Sequence, residues 1–503
     1  MKALIRGVLE FGIDGVLVDV ECHISNGLPA IVIVGVVSKA VDESKERIRS
    51  AFANSSINFP KKRITINIAP ADIPKDSTSL DLALATSIML AGGLISATPE
   101  NSVFIGELGL DGSVRGVRGI IGKILTSKKL GIRTFIVPFN NIDQASLVPD
   151  TIIIPIKNLY DLYLYLSGKL QINPIKSQFK IKPSENHNIN DFAYIVEQQT
   201  AKRGIEIAAS GGHNILLNGP PGTGKSMLAK ALISILPALN KDEILEVTHI
   251  HSLISHNYEK IVMNRPFRSP HHTASNTAII GGGNNPKPGE ISLSHRGVLF
   301  FDEFPEFTRP ALEALRQPLE DKTITISRAK DTLTFPADFM LVATANPCPC
   351  GYYNTHKNCT CTHQQLSNYQ RKLSGPIIDR IDIFTDVENI EHTKLLKQDS
   401  LAEKSLDIAK RVLKARNIQN NRLGNTRLNN SMTSQDIKNF AHLDSQSTEL
   451  LNQAASKLEL SPRSYMRIIK VARTIADLDN SKNICSNHIA EALQYRPKNN
   501  ILS

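Results

Sequence analysis

The stretch His213-Asn-Ile-Leu-Leu-Asn-Gly-Pro-Pro-Gly-Thr-Gly-Lys-Ser226 is an apolar run, then a glycine-rich turn, then a Lys-Ser pair opening the helical pattern MLAKALISIL. It predicts a buried strand, a loop and a helix, and in that setting Gly219 to Ser226 fits GxxxxGK[ST]. The residue types state the chemistry. Gly219, Pro220, Pro221, Gly222, Thr223 and Gly224 make a loop whose backbone N–H groups turn inward around phosphates, helped by the partial positive charge of a helix N-terminus. Lys225 is placed to reach the β- and γ-phosphates and the Ser226 hydroxyl to ligate Mg²⁺, so ATP and Mg²⁺ are the expected ligands.

Such a loop needs a second strand ending in acid, and Val298-Leu-Phe-Phe-Asp302-Glu303 supplies it. Asp302 is expected in the Mg²⁺ shell, with Glu303 polarising the attacking water. A third apolar run, Phe339 to Ala345, ends at Asn346; its amide either holds the water or γ-phosphate or simply makes the turn before Pro347. Arg380 lies between Asp379 and Asp382. It reads either as the cation that meets the γ-phosphate charge, often from a neighbouring subunit, or as a local ion pair.

Cys348-Pro-Cys350 and Cys359-Thr-Cys361 hold four of the six cysteines and are separated by GYYNTHKN. Four thiolates on one short loop can close tetrahedrally around Zn²⁺, with His356 or His363 able to replace one thiol. Reduced thiols and a redox disulfide are the alternatives. Cys22 and Cys485 read as core residues. Neighbouring His271 and His272 are expected to diverge, as loop structure or a DNA contact, and Gly281 to Gly283 with Asn284 and Asn285 read as a mobile loop tip.

The chain has 503 residues, 41% hydrophobic and 21% charged, enough for two to four domains and too large for a stapled scaffold. It has no stretch long and apolar enough for a membrane span and no signal peptide pattern, so a soluble cytoplasmic protein with no membrane partner is expected. Of the net charge of +10, seven fall in residues 391–503, with 18 Lys and Arg against 11 Asp and Glu. There Lys404 to Arg427, with Leu401, Ile408, Val412 and Leu413 as its apolar positions, predicts an amphipathic helix whose cations read either as a solvated face or as a polyanion contact. Residues 1–167 alternate β-rich runs (VLVDVECHI, AIVIVGVV, RITINIAP, TFIVP, TIIIPI) with helical ones (KAVDESKERIRSAFANS, DLALATSIMLAGG), predicting an α+β block. Residues 168–190 read as a linker, 191–389 as the nucleotide-binding α/β core and 390–503 as helical.

Taken together, AKRGIEIAASGGHNILLNGPPGTGKSMLA, FRSPHHTASNTAIIGGG, PKPGEISLSHRGVLFFDEFPEF, LEALRQPLED, ATANPCPCGYY and LSGPIIDRID resemble the magnesium-chelatase-like branch of the AAA+ ATPases. Over nearly the whole chain, including LSPRSYMRIIKVARTIADL, the sequence resembles the YifB/ComM family. That resemblance implies a multidomain α/β fold. Its parts are a first block like the proteolytic domain of Lon (a ribosomal S5 domain 2-like α+β fold), a P-loop AAA+ core and a C-terminal helical lid. It also implies a homo-hexameric ring that hydrolyses ATP to drive branch migration on branched or single-stranded DNA during natural transformation. Within the motifs, Arg380 becomes an arginine finger acting in trans and Arg463 the sensor-2 arginine, with Arg467 as runner-up. Glu197 departs from the family pattern, which tends to place glycine before Gln198. A rival function is a chelatase-type ATPase remodelling a protein partner for metal insertion, although chelatase motor subunits are expected to lack the Lon-like block. Another is a Ser-Lys peptidase, for which Ser79 in Pro74-Lys-Asp-Ser-Thr-Ser79 falls at the serine position while Ile121, not Lys123, falls at that of the lysine.

Overall fold

The computed structural model describes residues 3–34, 39–71, 78–176, 190–283, 286–327, 332–355, 357–373, 377–390, 403–424 and 427–497. The first block builds two four-stranded sheets. In the first, Ala3–Phe11 and Asp14–Ser25 form a tight hairpin, then Arg63–Ala69 joins antiparallel and Ala30–Val34 parallel to it. RITINIA alternates buried and partly exposed positions, as a strand with one covered face must. The cover is the helix Asp81–Ala91, whose residues from Asp81 to Met89 are all buried. In the second sheet, Ser102–Phe104, Thr134–Pro138 and Ile152–Ile156 lie parallel, and Ile175–Lys176 adds an antiparallel edge. That edge lies inside the expected linker, because a two-residue strand leaves no periodic signal. Of the linker, residues 177–189 lie outside the described residues.

The nucleotide core is a sheet of five parallel strands in the order Phe267–Arg268, Val298–Phe301, Met340–Ala345, Ile215–Asn218, Ile383–Asp386. The three runs singled out in the sequence are its three central strands. Parallel strands buried on both faces explain why VLFF and MLVATA read as unbroken apolar runs. This topology brings the carboxyl ends of the strands to one edge, where open α/β sheets bind ligands.

The C-terminal region is helical, with Ser405–Leu423, Ser434–Phe440, Ser445–Lys457, Pro462–Leu478 and Ser486–Gln494. Ile408, Val412 and Ala415 pack with Ala208 of the helix Gln199–Gly211 and Leu232 of the helix Lys225–Ile235 in one hydrophobic core. Leu413, expected on that apolar face, is 47% exposed, because the buried stripe runs through Ile408, Val412, Ala415, Gln419 and Leu423. Leu401 lies outside the described residues. The first block docks on the core through the helix Lys241–Ser252, where the His249 Nε2–H donates to the Ile13 carbonyl at 2.7 Å. Val8 and Ile121 share an apolar cluster there with Ile244 and Val247. Among the described residues no helix is long and apolar enough to cross a membrane.

Candidate active site

The P-loop joins the strand Ile215–Asn218 to the helix Lys225–Ile235. Gly222 and Gly224 hold φ of +80° and +88°, a left-handed backbone that a side chain would strain, although a Cβ at either would meet nothing within 4 Å. Their conformation, not crowding, requires glycine. The first turn of the helix leaves its N–H groups without intrahelical partners, opening toward the loop.

Lys225 is buried, and its Nζ donates to the Gly219 and Pro220 carbonyls at 2.6 and 2.7 Å and to Asn346 Oδ1 at 3.0 Å. All three acceptors are neutral, and burial pulls its pKa down to about 8 against the raising effect of Asp302 and Glu303. A buried ammonium held by neutral oxygens suits an incoming polyanion such as a triphosphate. Ser226 Oγ donates to Asp302 Oδ2 at 3.0 Å, so the two expected Mg²⁺ ligands already face each other. Asp302 and Glu303 follow the strand Val298–Phe301, and Glu303 sits at φ +54°. The strand tips thus gather Lys225, Ser226, Asp302 and Asn346 by direct hydrogen bonds, with Glu303 beside them.

Thr344 escaped the sequence reading. Its hydroxyl donates to Asp302 Oδ1 at 2.6 Å and accepts the Glu303 N–H at 2.9 Å, so one side chain fixes both acids. In VATA it looks like ordinary strand filler, and only the parallel pairing of the two strands shows otherwise. Thr344→Val keeps the shape, loses the bridge and strands the Glu303 N–H. Each hydrogen bond lost is worth about 0.5–1.5 kcal/mol, so with both acids released turnover is expected to fall on the order of tenfold with ATP affinity nearly unchanged. Steady-state kinetics beside nucleotide titration would check this; an unaltered kcat would remove Thr344 from the account.

The arginines lie elsewhere. Arg380 Nη2 and Arg463 Nη2 both reach Glu320 Oε1, at 2.6 and 2.7 Å. Arg380 therefore takes a carboxylate some sixty positions away as a close partner rather than only Asp379 or Asp382 beside it. Asp382 faces His213 Nδ1 at 3.2 Å, and Asp379 lies 3.9 Å from Arg467. Arg467 is buried and donates to the Ile381 carbonyl at 2.5 Å, so it holds the DRID backbone in place. Glu197 and Gln198 are both left-handed, at φ +53° and +58°, which gives a physical reason for glycine at position 197 in the family pattern.

Other sequence readings shift. The His271 and His272 rings do not diverge; their centroids lie 4.2 Å apart, with His271 Nδ1 bonded to Thr273 Oγ1. Gly281 and Gly282 are no loop tip but pair with Lys287 and Pro288, while Asn284 and Asn285 lie outside the described residues. Cys22 is core, its thiol pushed up to about 11 by burial, whereas Cys485 is the half-buried N-cap of Ser486–Gln494. Ser79 is buried with its Oγ donating to the Val8 carbonyl. Lys123 is buried too, and its amine goes to the Arg118 carbonyl and faces Glu10 Oε2 at 3.6 Å. An amine committed in this way does not serve as a base for Ser79. Residues 74–77 lie outside the described residues.

On the basic helix, Arg411 pairs with Glu206 and Glu403, Arg422 with Asp477 and Lys410 with Asp407. Arg416 Nε donates to the Ala209 carbonyl. These cations serve mainly as internal fastening.

Comparison with known proteins agrees with this geometry. Residues 191–395 match the family described as magnesium chelatase, subunit ChlI; residues 20–141 match subunit ChlI of Mg-chelatase, and residues 402–496 its C-terminal part. The chain is 42% identical to competence protein ComM of Haemophilus influenzae over 98% of its length and 97% of that protein's. It is 41% identical to YifB of Escherichia coli, over 98% and 96%. A partial match, 24% identical over 35% of this chain and 22% of the other, joins it to a Lon protease of Leptospira interrogans. The fold is thus α/β and multidomain with a C-terminal helical region, and the activity that of an ATPase using ATP and Mg²⁺. This chain belongs to the ComM/YifB family of magnesium-chelatase-like AAA+ ATPases.

Proposed function

We propose that this ATPase is a cytoplasmic hexameric ring motor on DNA, a helicase that drives branch migration to promote recombination of incoming strands. The observation that carries the ring is the position of Arg380 and Arg463, both drawn to Glu320 while the strand tips gather Lys225, Asp302 and Asn346. In this reading Arg380 completes the neighbour's site as an arginine finger and Arg463 acts as the sensor-2 arginine of the lid. Glu303 is the catalytic base, Asn346 holds the attacking water, and Ser226 with Asp302 would hold Mg²⁺.

The DNA part rests on the family resemblance and on a relative named a competence protein. It does not rest on the helix Ser405–Leu423, whose cations are largely paired. A chelatase-type remodeller of a protein partner is the second reading, favoured by the family descriptions. The first block does not discriminate, contrary to expectation, since residues 20–141 also match a chelatase subunit family.

Sedimentation of the Glu303→Gln protein with ATP and forked DNA tests the reading: a six-subunit assembly on DNA is expected. Monomers that bind no DNA even at low salt would contradict it. For the shared site, Arg380→Ala and Lys225→Ala proteins should each be inactive and regain activity when mixed. Turnover of about a quarter of wild type is expected, the fraction of junctions in a random equal mixture that pair an intact P-loop with an intact finger. No recovery would mean that Arg380 does not act across a junction.

A further inference from the structure

The loop after Asn346 carries chemistry that ATP hydrolysis does not use. The Sγ atoms of Cys348, Cys350, Cys359 and Cys361 all lie within 4.8 Å of one another. Cys348 to Cys350 is 3.3 Å, Cys350 to Cys359 3.5 Å and Cys348 to Cys359 3.8 Å, and all four cysteines are free. A disulfide needs about 2.05 Å, so none of these pairs is bonded. Four sulfurs on a tetrahedron with metal–sulfur bonds of about 2.3 Å stand about 3.8 Å apart, the scale seen here. A multi-iron cluster spreads its thiolates wider than this.

The backbone around the thiols is arranged as a ligand shell. The Tyr353 N–H donates to Cys348 Sγ at 3.2 Å and the Cys350 N–H to Cys361 Sγ at 3.4 Å, the kind of outer contact that steadies a bound thiolate. His363, weighed as a substitute ligand, begins the helix His363–Leu373 and is exposed, outside the thiol cluster; His356 lies outside the described residues.

This knot sits against the nucleotide loop. Gly351, at φ +86°, lies so close to Pro221 that a Cβ would come within 2.6 Å of the proline Cδ. Asn346 stands two residues before Cys348, and the buried Tyr369 of the helix that follows Cys361 has its hydroxyl toward the Asn346 backbone. Both ends of the knot therefore bear on the residue that meets Lys225.

We propose that Cys348, Cys350, Cys359 and Cys361 bind one structural Zn²⁺, their four thiolates completing its shell, and that this knot positions Asn346 and Pro221 for ATP turnover. The metal half stands on the thiols alone; the positioning half rests on the ATPase reading. Three of the four thiols are only partly buried, so the ion is reachable by chelators.

Elemental analysis of the purified full chain is expected to give about one zinc per chain and no stoichiometric iron. A Cys350→Ser/Cys361→Ser double variant should fall below a tenth of that. Because such a variant could misfold, Co²⁺ replacement in the wild-type chain is the second measurement, expected to give the intense visible bands of a tetrahedral thiolate site. Chelated protein should lose on the order of tenfold in kcat, with ATP affinity changed less than threefold, and recover on adding Zn²⁺. Absence of metal, stoichiometric iron, or an octahedral Co²⁺ spectrum would overturn the site. Full zinc loading with turnover indifferent to its removal would overturn the positioning role. Loss of ATPase in the zinc-loaded wild type would instead count against the ATPase reading.

Discussion

Lys225→Ala is expected to weaken ATP binding by about 100-fold, or ~2.7 kcal/mol, the upper range for a charge-assisted hydrogen bond. The side chain is buried and its ammonium donates to the Gly219 and Pro220 carbonyls and to Asn346 Oδ1. Alanine leaves those oxygens facing the phosphates with no ammonium between them. A pH signature accompanies the loss. Burial holds this lysine at about 8, and bound phosphate favours the charged form, so ATP binding takes up a proton and affinity falls as pH rises through about 8. Lys225→Ala should lose that pH dependence. Calorimetric titration in two buffers of different ionisation enthalpy measures both; proton uptake that persisted in the variant would assign the titration to another group.

Glu303→Gln should separate binding from chemistry. General-base catalysis is worth about 10²–10⁴-fold, so kcat is expected to fall by that range while ATP affinity stays within about threefold. Glutamine keeps the size of the side chain and the backbone N–H that Thr344 accepts, so the strand tip stays in place. The proposed ring is then expected to persist with ATP bound, since release by hydrolysis is blocked. Ordinary turnover in this variant would displace Glu303 as the base.

Much of this site was legible because phosphate chemistry demands particular residues at fixed spacing. The P-loop, Asp302 and Glu303 stand at the ends of apolar runs, and those runs became the central strands. Residues that act through partners distant in sequence were not legible. Thr344 matters only because its strand lies beside Val298–Phe301, and Glu320 only because folding carries the helix Arg316–Asp321 to Arg380 and Arg463. The opening strand Ala3–Phe11 escaped notice because Arg6, Gly7 and Glu10 interrupt its apolar pattern, although Ala3, Ile5, Val8 and Leu9 are buried. Charge misled in the tail: cations of the helix Ser405–Leu423 that read as a possible polyanion face are held in ion pairs, Arg411 with Glu206 and Arg422 with Asp477. The four cysteines showed a metal pattern in sequence, and folding added their contact with Pro221 through Gly351.

The central claim is an ATPase whose turnover is coupled to branched DNA. Steady-state ATP hydrolysis by the purified wild-type chain, with and without a four-way DNA junction and with Glu303→Gln as the blank, tests it most directly. Hydrolysis is expected to rise severalfold with the junction and to vanish in the blank; wild-type hydrolysis indifferent to DNA, with no junction binding at low salt, would contradict a DNA-coupled motor.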